Sequence, residues 1–260
     1  MKVLLLGGTG EARRLADLLT AAPGLSVVSS LAGRVTNPRL PAGAVRIGGF
    51  GGATGLAAWL RAEDVVAAVD ATHPFATRIT TNAVEAAAAC GLPLLVVRRP
   101  GWTPGPGDDW RWTDSVGGAA ELVPDLGKRV FLAIGRQGLA AFAGLDDVWF
   151  LARCVDPPEP PLPREVEVLL DRGPFIEAGE VKLLRRHRIE VVVTKDSGGE
   201  AAVAKLHAAR ELGLPVIVVR RPPAPPGVPI VDTVDAAMRW IAELGQLPPR
   251  VIDRLPTVDR

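Results

Sequence analysis

The sequence predicts an α/β protein made of two Rossmann-like parallel-sheet domains, with helices on both faces of each sheet and a cleft between the domains. Three observations carry this prediction: the chain length, an alternation of apolar runs with helical stretches, and a near-duplicate segment. At roughly 150 residues per domain, 260 residues favour two domains. A composition of 48% hydrophobic and 23% charged residues excludes a disordered, collagen-like or coiled-coil chain.

Short β-branched and aliphatic runs alternate along the chain with stretches rich in Ala, Leu, Glu and Arg. Continuously apolar runs are typical of strands buried on both faces, and a repeated strand–helix–strand order predicts a parallel sheet. The predicted strands are Val3–Leu6, Ser26–Ser30, Val65–Asp70, Leu94–Val97, Val130–Ile134, Val148–Ala152, Val191–Thr194 and Val216–Val219. The predicted helices are Glu11–Leu19, Ala53–Arg61, Thr77–Cys90, Phe175–His187, Glu200–Leu212 and Val234–Leu244.

A near-duplicate segment indicates that the two domains are related. Gly91–Pro100 reads GLPLLVVRRP, and Gly213–Pro222 reads GLPVIVVRRP. The stretch Gly101–Trp112 between them is rich in Gly, Pro and Trp, which are typical of a linker. We therefore predict a first domain over residues 1–112, a second over 113–245 and a C-terminal tail over 246–260.

The charge balance and the cysteine count restrict the possible partners and location. Thirty Lys and Arg residues against 29 Asp and Glu residues leave a net charge of +1, which argues against a nucleic-acid partner. No run approaches the roughly 18 apolar residues of a membrane helix, so no membrane partner is expected. With two cysteines, a disulfide scaffold is excluded and a reducing cytoplasm is the expected location. We expect a monomer or a small homo-oligomer.

A metal cofactor is not expected from the spacing of the ligating residue types. The histidines His73, His187 and His207 are far apart in the sequence, and the cysteines Cys90 and Cys154 do not lie at ligand spacing from them. The sequence therefore predicts no metal site in this protein.

A glycine-rich turn follows the first predicted strand and opens the first predicted helix. Turn glycines let the backbone approach a phosphate, and a helix N-terminus offers unpaired N–H groups and a positive dipole end. The turn departs from the usual G-x-G-x-x-G because Ala12 and Arg13 occupy the region of the third glycine. A tight turn without a ligand is the alternative. The predicted cofactor contacts here are Gly8, Thr9, Gly10 and Glu11.

The end of the second predicted strand points to the choice of cofactor. An NAD-preferring site places Asp or Glu roughly 20 residues after the glycine turn, against the ribose 2′-hydroxyl, and no acid occurs here. Ser29, Ser30 and Arg34 offer hydroxyls and a guanidinium, which suit a 2′-phosphate, and together with Gly33 they are the predicted cofactor contacts of this strand end. The sequence therefore predicts NADPH rather than NADH, with a polar surface loop as the alternative.

Another strand in the first half ends in a turn that contains a histidine. Ligands of doubly wound sheets lie beyond the carboxyl ends of the strands, so this turn is expected to line the cofactor cleft. His73 is a candidate catalytic residue, although a lone histidine is more often structural. The predicted cofactor contacts of this turn are Asp70, Thr72, His73, Pro74 and Phe75.

Strand ends in the second half carry cations and glycines. Asp196 or Ser197 suits the N-cap of the following helix, but a cap does not explain the lysine and two glycines beside them. We interpret these residues as a site for carboxylates or phosphates and Lys195 as a second candidate catalytic residue. The predicted substrate contacts are Arg98, Arg136, Lys195, Ser197, Gly198 and Gly199.

In this order the motifs resemble the precorrin-6A reductase family of cobalamin biosynthesis, over residues 1 to about 244. The residues that carry the resemblance are Gly7–Arg13, Ala32–Arg34, Gly48–Gly52, Asp70–Ala76, Gly135–Arg136 and Thr194–Gly199. The resemblance implies NADPH-dependent reduction of the C18=C19 double bond of the tetrapyrrole precorrin-6A to give precorrin-6B. It implies no choice between this substrate and its cobalt-containing form.

Several roles stay open at this stage. A macrocycle with acetate and propionate arms would need scattered cations, which Arg136, Lys195 and the Arg-Arg pairs supply. The proton that follows hydride transfer would come from Lys195, from His73 or from water. A non-catalytic protein that binds NADPH or an anionic metabolite is the rival from another class. A short-chain reductase or epimerase would usually need a Tyr-x-x-x-Lys pair, and the chain has no tyrosine.

Overall fold

The computed structural model describes residues 1–246, which form twelve strands and seven α-helices. The strands are β1 (Lys2–Leu6), β2 (Ser26–Leu31), β3 (Ala44–Ile47), β4 (Ala67–Asp70), β5 (Leu94–Val97), β6 (Trp110–Thr113), β7 (Arg129–Ala133), β8 (Trp149–Cys154), β9 (Glu165–Leu170), β10 (Val191–Lys195), β11 (Val216–Val219) and β12 (Ile230–Val231). The helices are α1 (Gly10–Ala21), α2 (Gly52–Ala62), α3 (Thr77–Cys90), α4 (Val116–Leu126), α5 (Glu177–Arg186), α6 (Ala204–Glu211) and α7 (Val234–Gln246). None of these helices is long and apolar enough to span a membrane.

The strands form two six-stranded sheets in which every pair is parallel. The first sheet has the order β12-β5-β4-β1-β2-β3, and the second has the order β6-β11-β10-β7-β8-β9. In each sheet the strand order reverses beside the central strand, β1 in the first and β7 in the second. Ligands of doubly wound sheets bind outside the carboxyl ends of the strands at such a reversal.

Helices cover both faces of the first sheet, as the sequence predicts. Side chains alternate between the faces of a strand, so Val3 and Leu5 pack with α1 and α7. Leu4 and Leu6 face the other way and pack with α2 and α3. All four side chains are at most 1% exposed, which explains why β1 reads as a continuous apolar run.

The second sheet is covered in the same way. Phe131 of β7 and Val192 of β10 pack with α5 and α6 on one face. On the other face lie α4 and a 3₁₀-helix over Arg136–Phe142. There Phe142 meets Phe150 of β8 edge to face, with ring centroids 5.6 Å apart. The predicted α/β fold of two parallel-sheet units with helices on both faces is thus confirmed.

The division of the chain differs from the predicted boundaries. One compact unit consists of residues 1–100 together with the chain from Pro223 onward, and the other is Gly101–Pro222. The predicted boundary between residues 112 and 113 lies inside β6, which pairs with β11 of the second unit. The residues of β12 and α7 fall within the predicted second domain, but they belong to the first unit. β12 pairs with β5, and α7 packs on α1.

The duplicated segments explain this exchange. Each contains the last strand, β5 or β11, before the chain passes to the other unit after Pro100 or Pro222. The next strand then forms the edge of the other sheet, which a search for contiguous domains does not anticipate. The predicted tail over 246–260 lies outside the described residues, apart from Gln246 at the end of α7.

All eight predicted strands and all six predicted helices are present, with shifts at their ends. Four strands and one helix were not predicted: β3, β6, β9, β12 and α4. The missed strands lie at or next to sheet edges and are partly exposed, so they lack the continuous apolar run of a central strand. β9, for example, reads EVEVLL and has no fully buried residue.

Charged side chains are buried beneath one face of the second sheet, and no pattern in the sequence predicts their burial. Arg153 forms a bidentate salt bridge with Glu180, at 2.6 and 2.8 Å, and its guanidinium lies 3.6 Å from the ring centroid of Phe175. Lys205 is 2% exposed, and its Nζ donates a hydrogen bond to the carbonyl of Ala202. Burial, and secondarily the positive charge of Arg153, lowers the pKa of Lys205 to about 7.

We predict that Lys205 makes the free energy of unfolding rise with pH. The unfolded lysine has a pKa of about 10.4, so above pH 7 the unfolded state binds more protons than the folded state, and stability increases by up to about 1.4 kcal/mol per pH unit. Urea unfolding at pH 7.5 and 9.5 should show this increase in the wild type. Lys205→Met removes the titrating group and should lose about 2 kcal/mol of the difference. Equal pH dependence in both proteins would contradict the prediction.

Candidate functional site

Thr9 stabilises the glycine turn that follows β1 through two hydrogen bonds of its hydroxyl. Thr9 is the N-cap of α1, where its Oγ1 accepts a hydrogen bond from the Ala12 N–H at 3.1 Å. The same hydroxyl donates to the carbonyl of Ala71, at the end of β4, at 2.7 Å. Gly8 has φ +116, a conformation that favours glycine, and a Cβ there would meet nothing within 4 Å. The amides of Gly10 and Glu11 precede the first intrahelical hydrogen bonds, so they are available to an anion.

A cavity opens beside this turn. It is lined by Gly7, Gly8, Ala12, Arg13, Ser29, Leu31, Arg39 and Pro41. Ser29 is 1% exposed, and its Oγ has no hydrogen-bond partner in the described part of the chain. A buried hydroxyl without a partner is costly and rare in a native protein, so Ser29 points to a group that arrives from outside. Ser29 is one of the cofactor contacts predicted from the sequence, whereas Arg13 and Arg39 are not among them.

Another arginine, Arg46 at the end of β3, engages the neighbouring serine. Its guanidinium donates to Ser30 Oγ at 3.2 Å and to the carbonyls of Gly48 and Gly49 at 2.8 and 2.9 Å. It also stacks on Phe50, 3.7 Å from the ring centroid. Burial lowers the pKa of Arg46 below its usual value. Arg46 thus fixes the Gly48–Gly52 loop against β2, a role that no sequence signal indicated.

The two other residues predicted near the 2′-phosphate lie in the loop after β2. Gly33 has φ +71, and a Cβ there would come within 3.2 Å of Ile47 Cγ2, so only glycine fits this approach. Arg34 is exposed and does not line the cavity at the glycine turn.

The turn after β4 is organised by a buried aspartate. Asp70 is 2% exposed, and its Oδ1 accepts from the N–H and the hydroxyl of Thr72, at 2.9 and 2.6 Å. Its Oδ2 accepts from Thr80 Oγ1 of α3 at 2.5 Å. Asp70 is predicted as a cofactor contact. In the structure its carboxylate stabilises its own turn and links this turn to the first turns of α3.

The histidine of this turn is exposed and lines a second cleft. His73 Nδ1 accepts from the Phe75 N–H at 3.3 Å, so a neutral ring carries its proton on Nε2. The cleft lies at the carboxyl ends of β4 and β5 and at the start of α3. It is lined by Asp70, Thr72, His73, Pro74, Thr77, Thr80, Thr81, Val96, Val97, Arg98, Pro223 and Pro225. Arg98, predicted as a substrate contact, thus lies in the same unit as His73.

An ion pair joins the glycine turn to the first Arg-Arg pair. Arg99 Nη1 lies 2.7 Å from Glu11 Oε2, and both side chains are partly buried. A small pocket beside this pair is also lined by Thr9, Thr72 and Pro74. Glu11, predicted as a cofactor contact, is therefore engaged by a cation of its own unit.

In the second unit an aspartate fixes the turn after β10. Asp196 is 7% exposed, and its carboxylate accepts from Nε and Nη2 of Arg221 at 2.9 and 3.2 Å and from the Trp102 N–H at 2.9 Å. Asp196 thus ties β10 to the second Arg-Arg pair and to the segment that begins this unit. The sequence alone indicates only a helix N-cap role for Asp196.

The predicted anion-binding residues stand at the same edge of the second sheet. Lys195 ends β10, and burial lowers the pKa of its amino group. Ser197 is 8% exposed, and its N–H donates to the Lys195 carbonyl at 2.7 Å. Gly198 has φ +67 and is followed by Gly199 and a single 3₁₀ turn. Arg136 follows β7, where its Nη1 donates to the Pro157 carbonyl at 3.4 Å.

The residues at the glycine turn fit a nucleotide cofactor. Gly8 leaves open space, the amides of Gly10 and Glu11 precede the intrahelical hydrogen bonds of α1, and the unsatisfied hydroxyl of Ser29 lines a cavity together with Arg13 and Arg39. Phosphate oxygens satisfy all of these donors. Among residues 1–246, no three His, Cys, Asp or Glu side chains come together as metal ligands.

The fold and this site together define an α/β protein of two Rossmann-like units. One unit has a cavity at the carboxyl end of β1, and the residues of this cavity suit a phosphate group. Residues 2–242 match the model of a protein family described as "Precorrin-6x reductase CbiJ/CobK". The chain therefore belongs to the precorrin-6x reductase family. Oxidoreduction is the chemistry of this family.

Individual relatives agree with this assignment. A precorrin-6A reductase of Rhodococcus erythropolis is 57% identical over 243 residues, covering 94% of this chain and 98% of the relative. A cobalt-precorrin-6A reductase of Salmonella typhimurium is 29% identical over 270 residues, covering 92% of this chain and 97% of the relative. A solved structure described as CobK precorrin-6A reductase superposes with a TM-score of 0.89 at 44% identity, covering 96% of this chain and 99% of that one.

We predict that the Thr9 hydroxyl stabilises the first unit. Thr9→Val keeps the shape of the side chain but removes the cap of α1 and leaves the Ala71 carbonyl without its donor, so it should lower the free energy of unfolding by about 1–3 kcal/mol. Thr9→Ser retains the hydroxyl and should cost less than half as much. Urea unfolding of the three proteins measures both values, and equal losses would show that the hydroxyl is not responsible.

Proposed function

We propose that this protein reduces the C18=C19 double bond of precorrin-6A with NADPH, giving precorrin-6B in cobalamin biosynthesis. The observation that carries the proposal is the cavity with the unsatisfied Ser29 hydroxyl at the glycine turn, in a chain of the precorrin-6x reductase family. The first unit then holds the cofactor, and the strand ends of the second unit contribute substrate contacts.

The cofactor contacts follow from the chemistry of each turn. The amides of Gly8, Gly10 and Glu11 and the dipole of α1 hold the pyrophosphate, while Thr9 fixes the turn that presents them. Pro74 and Phe75 form an apolar wall for the nicotinamide, and Asp70 and Thr72 keep that turn in place. These residues would hold NADPH, whose chemistry would be to supply a hydride to one carbon of the double bond with formation of NADP⁺.

The substrate contacts are cations and turn amides. Precorrin-6A carries several carboxylate arms, and each arm needs a donor that holds it without neutralising it. Arg136, Lys195, Ser197, Gly198 and Gly199 provide such donors in the second unit, and Arg98 provides one in the first. Scattered cations of this kind bind a flexible polyanion through several weak contacts and orient its ring.

The second carbon of the double bond must take up a proton after hydride transfer. Two side chains are candidate donors, Lys195 and His73, and a water molecule is the third. The lowered pKa of Lys195 favours it, because a weaker ammonium ion gives up its proton more readily at neutral pH. His73 could deliver the proton as an imidazolium, with its ring held by the hydrogen bond between Nδ1 and the Phe75 N–H in the neutral form.

The metal-free substrate is favoured over its cobalt-containing form. The relative named as a precorrin-6A reductase is 57% identical to this chain, whereas the one named as acting on cobalt-precorrin-6A is 29% identical. A ring that already carries cobalt is therefore the second candidate substrate, and both are small tetrapyrroles.

The test of this proposal is turnover. Purified protein mixed with NADPH and precorrin-6A should consume the absorbance at 340 nm with formation of one reduced product per NADPH. NADH should support a lower kcat/KM, and cobalt-precorrin-6A should be a poorer substrate. Tight binding of NADPH with no oxidation of it, in the presence of either tetrapyrrole, would indicate a binding protein and contradict the proposed reductase.

A second experiment identifies the proton donor from the pH profile of kcat. A donor must be protonated, so kcat falls as the pH rises through its pKa. With Lys195 as the donor this fall occurs below pH 10.5, since burial lowers the pKa of Lys195 from that value, and Lys195→Met lowers kcat by about 10²–10⁴ and abolishes the fall. With His73 as the donor, His73→Asn has these effects instead. If both variants retain the wild-type profile, water is the donor.

A further inference from the structure

The cavity at the glycine turn contains more positive charge than a pyrophosphate site requires. Arg13 projects from the first turn of α1, and Arg39 reaches the same cavity from the loop before β3. Ser29 lies between the glycine turn and β2, with its Oγ unsatisfied. The Arg13 N–H donates to the Thr9 carbonyl within α1 at 3.3 Å, but within the described residues the guanidinium groups of Arg13 and Arg39 make no hydrogen bond or ion pair. Two arginines and a buried serine hydroxyl thus line one cavity.

This set suits a phosphate monoester better than a sugar hydroxyl. A phosphate monoester carries between one and two negative charges near pH 7 and has three acceptor oxygens, whereas a ribose hydroxyl needs only one acceptor such as a carboxylate. Arginine is the residue type that binds phosphate in a bidentate manner. The side chains of Ser29 and Leu31 both face the glycine turn from β2, on the side where the ribose of a dinucleotide lies in such folds.

The neighbouring arginines are less suited to this role. The guanidinium of Arg46 already donates to Ser30 and to two glycine carbonyls, and it is stacked on Phe50. Arg34 and Arg39 are both exposed, but only Arg39 lines the cavity. The sequence places Arg34 nearest to β2 along the chain, but the fold brings Arg39 to the cavity instead.

We propose that Arg39 and Arg13, together with the Ser29 hydroxyl, bind the 2′-phosphate of the adenosine ribose and determine the preference for NADPH over NADH. This inference rests on the proposed function and names the residues that select its cofactor. It assigns the choice of cofactor to the loop before β3 rather than to the end of β2.

The test measures binding of adenosine fragments and of whole cofactors by calorimetry at constant ionic strength. Adenosine 2′,5′-bisphosphate and 5′-AMP differ by the 2′-phosphate alone, and NADPH and NADH differ in the same way. Arg39→Ala should weaken NADPH and adenosine 2′,5′-bisphosphate by about 10- to 100-fold, the range of one lost charged hydrogen bond. Binding of NADH and 5′-AMP should change by less than about threefold, and Arg13→Ala should show the same selectivity.

Three further variants make the result specific. Arg14→Ala is the matched control, because Arg14 adjoins Arg13 on α1 but its guanidinium pairs with Asp235 at 3.5 Å. It removes the same charge and should leave all four affinities within about threefold. Arg39→Lys keeps the charge but loses the bidentate geometry, so it should restore part of the NADPH affinity. Ser29→Ala should raise the Tm without ligand and lower the affinity for NADPH, since it removes an unsatisfied hydroxyl that the phosphate would engage.

Each outcome decides between defined possibilities. If Arg39→Ala weakens NADPH and NADH equally, Arg39 holds a phosphate common to both cofactors and the inference is wrong. If Arg34→Ala causes the selective loss and Arg39→Ala does not, the selecting residue lies at the end of β2. If the wild type binds neither cofactor nor either fragment, the proposed NADPH-dependent function fails, and the inference fails with it. Selective NADPH binding that survives both Arg39→Ala and Arg13→Ala overturns the inference alone.

Discussion

The burial of central strands on both faces is the constraint on which the rest of this structure depends. β1, β4, β5, β10 and β11 lie between two layers of helices, so nearly all of their side chains are apolar. Polar chemistry is therefore confined to the ends of the strands, where the chain leaves the sheet. Asp70, at the last position of β4, is such a group, and its carboxylate accepts hydrogen bonds from Thr72 of its own turn and from Thr80 of α3.

The two units use equivalent strand ends in different ways. In the first unit Arg99 of the Arg-Arg pair contacts Glu11 beside the glycine turn. In the second unit the equivalent Arg221 contacts Asp196 in the turn after β10. In both cases a buried or partly buried ion pair fixes the loop that follows a central strand. The duplicated sequence thus supplies a common scaffold, and the acid partner decides which turn is held.

Several buried polar groups are unfavourable for the stability of the fold but lie close to the proposed functional turns. Lys205 and the Arg153–Glu180 pair are buried beneath the second sheet, and such groups usually stabilise a fold less than apolar side chains of the same size. Lys205 nevertheless holds the Ala202 carbonyl, just beyond the Gly198-Gly199 turn. Ser29 is costly in a different way, because its hydroxyl lacks a partner within residues 1–246. Both residues lie next to turns that we propose as ligand sites, and functional sites are where such departures from ideal packing are expected.

The sequence by itself determined the fold class, the central strands, and the glycine, histidine and lysine turns, because burial and turn geometry depend on residues close together in the chain. It also determined the family resemblance through those same turns. Only the tertiary structure decided where the units divide, since β6 and β12 pair with strands about a hundred residues away or more. The tertiary structure likewise decided which arginines line the cavity. Arg34 adjoins β2 in the sequence, but Arg13 and Arg39 line the cavity together with Ser29. Long-range contacts of this kind leave no periodic signal, because each depends on the packing of the whole unit.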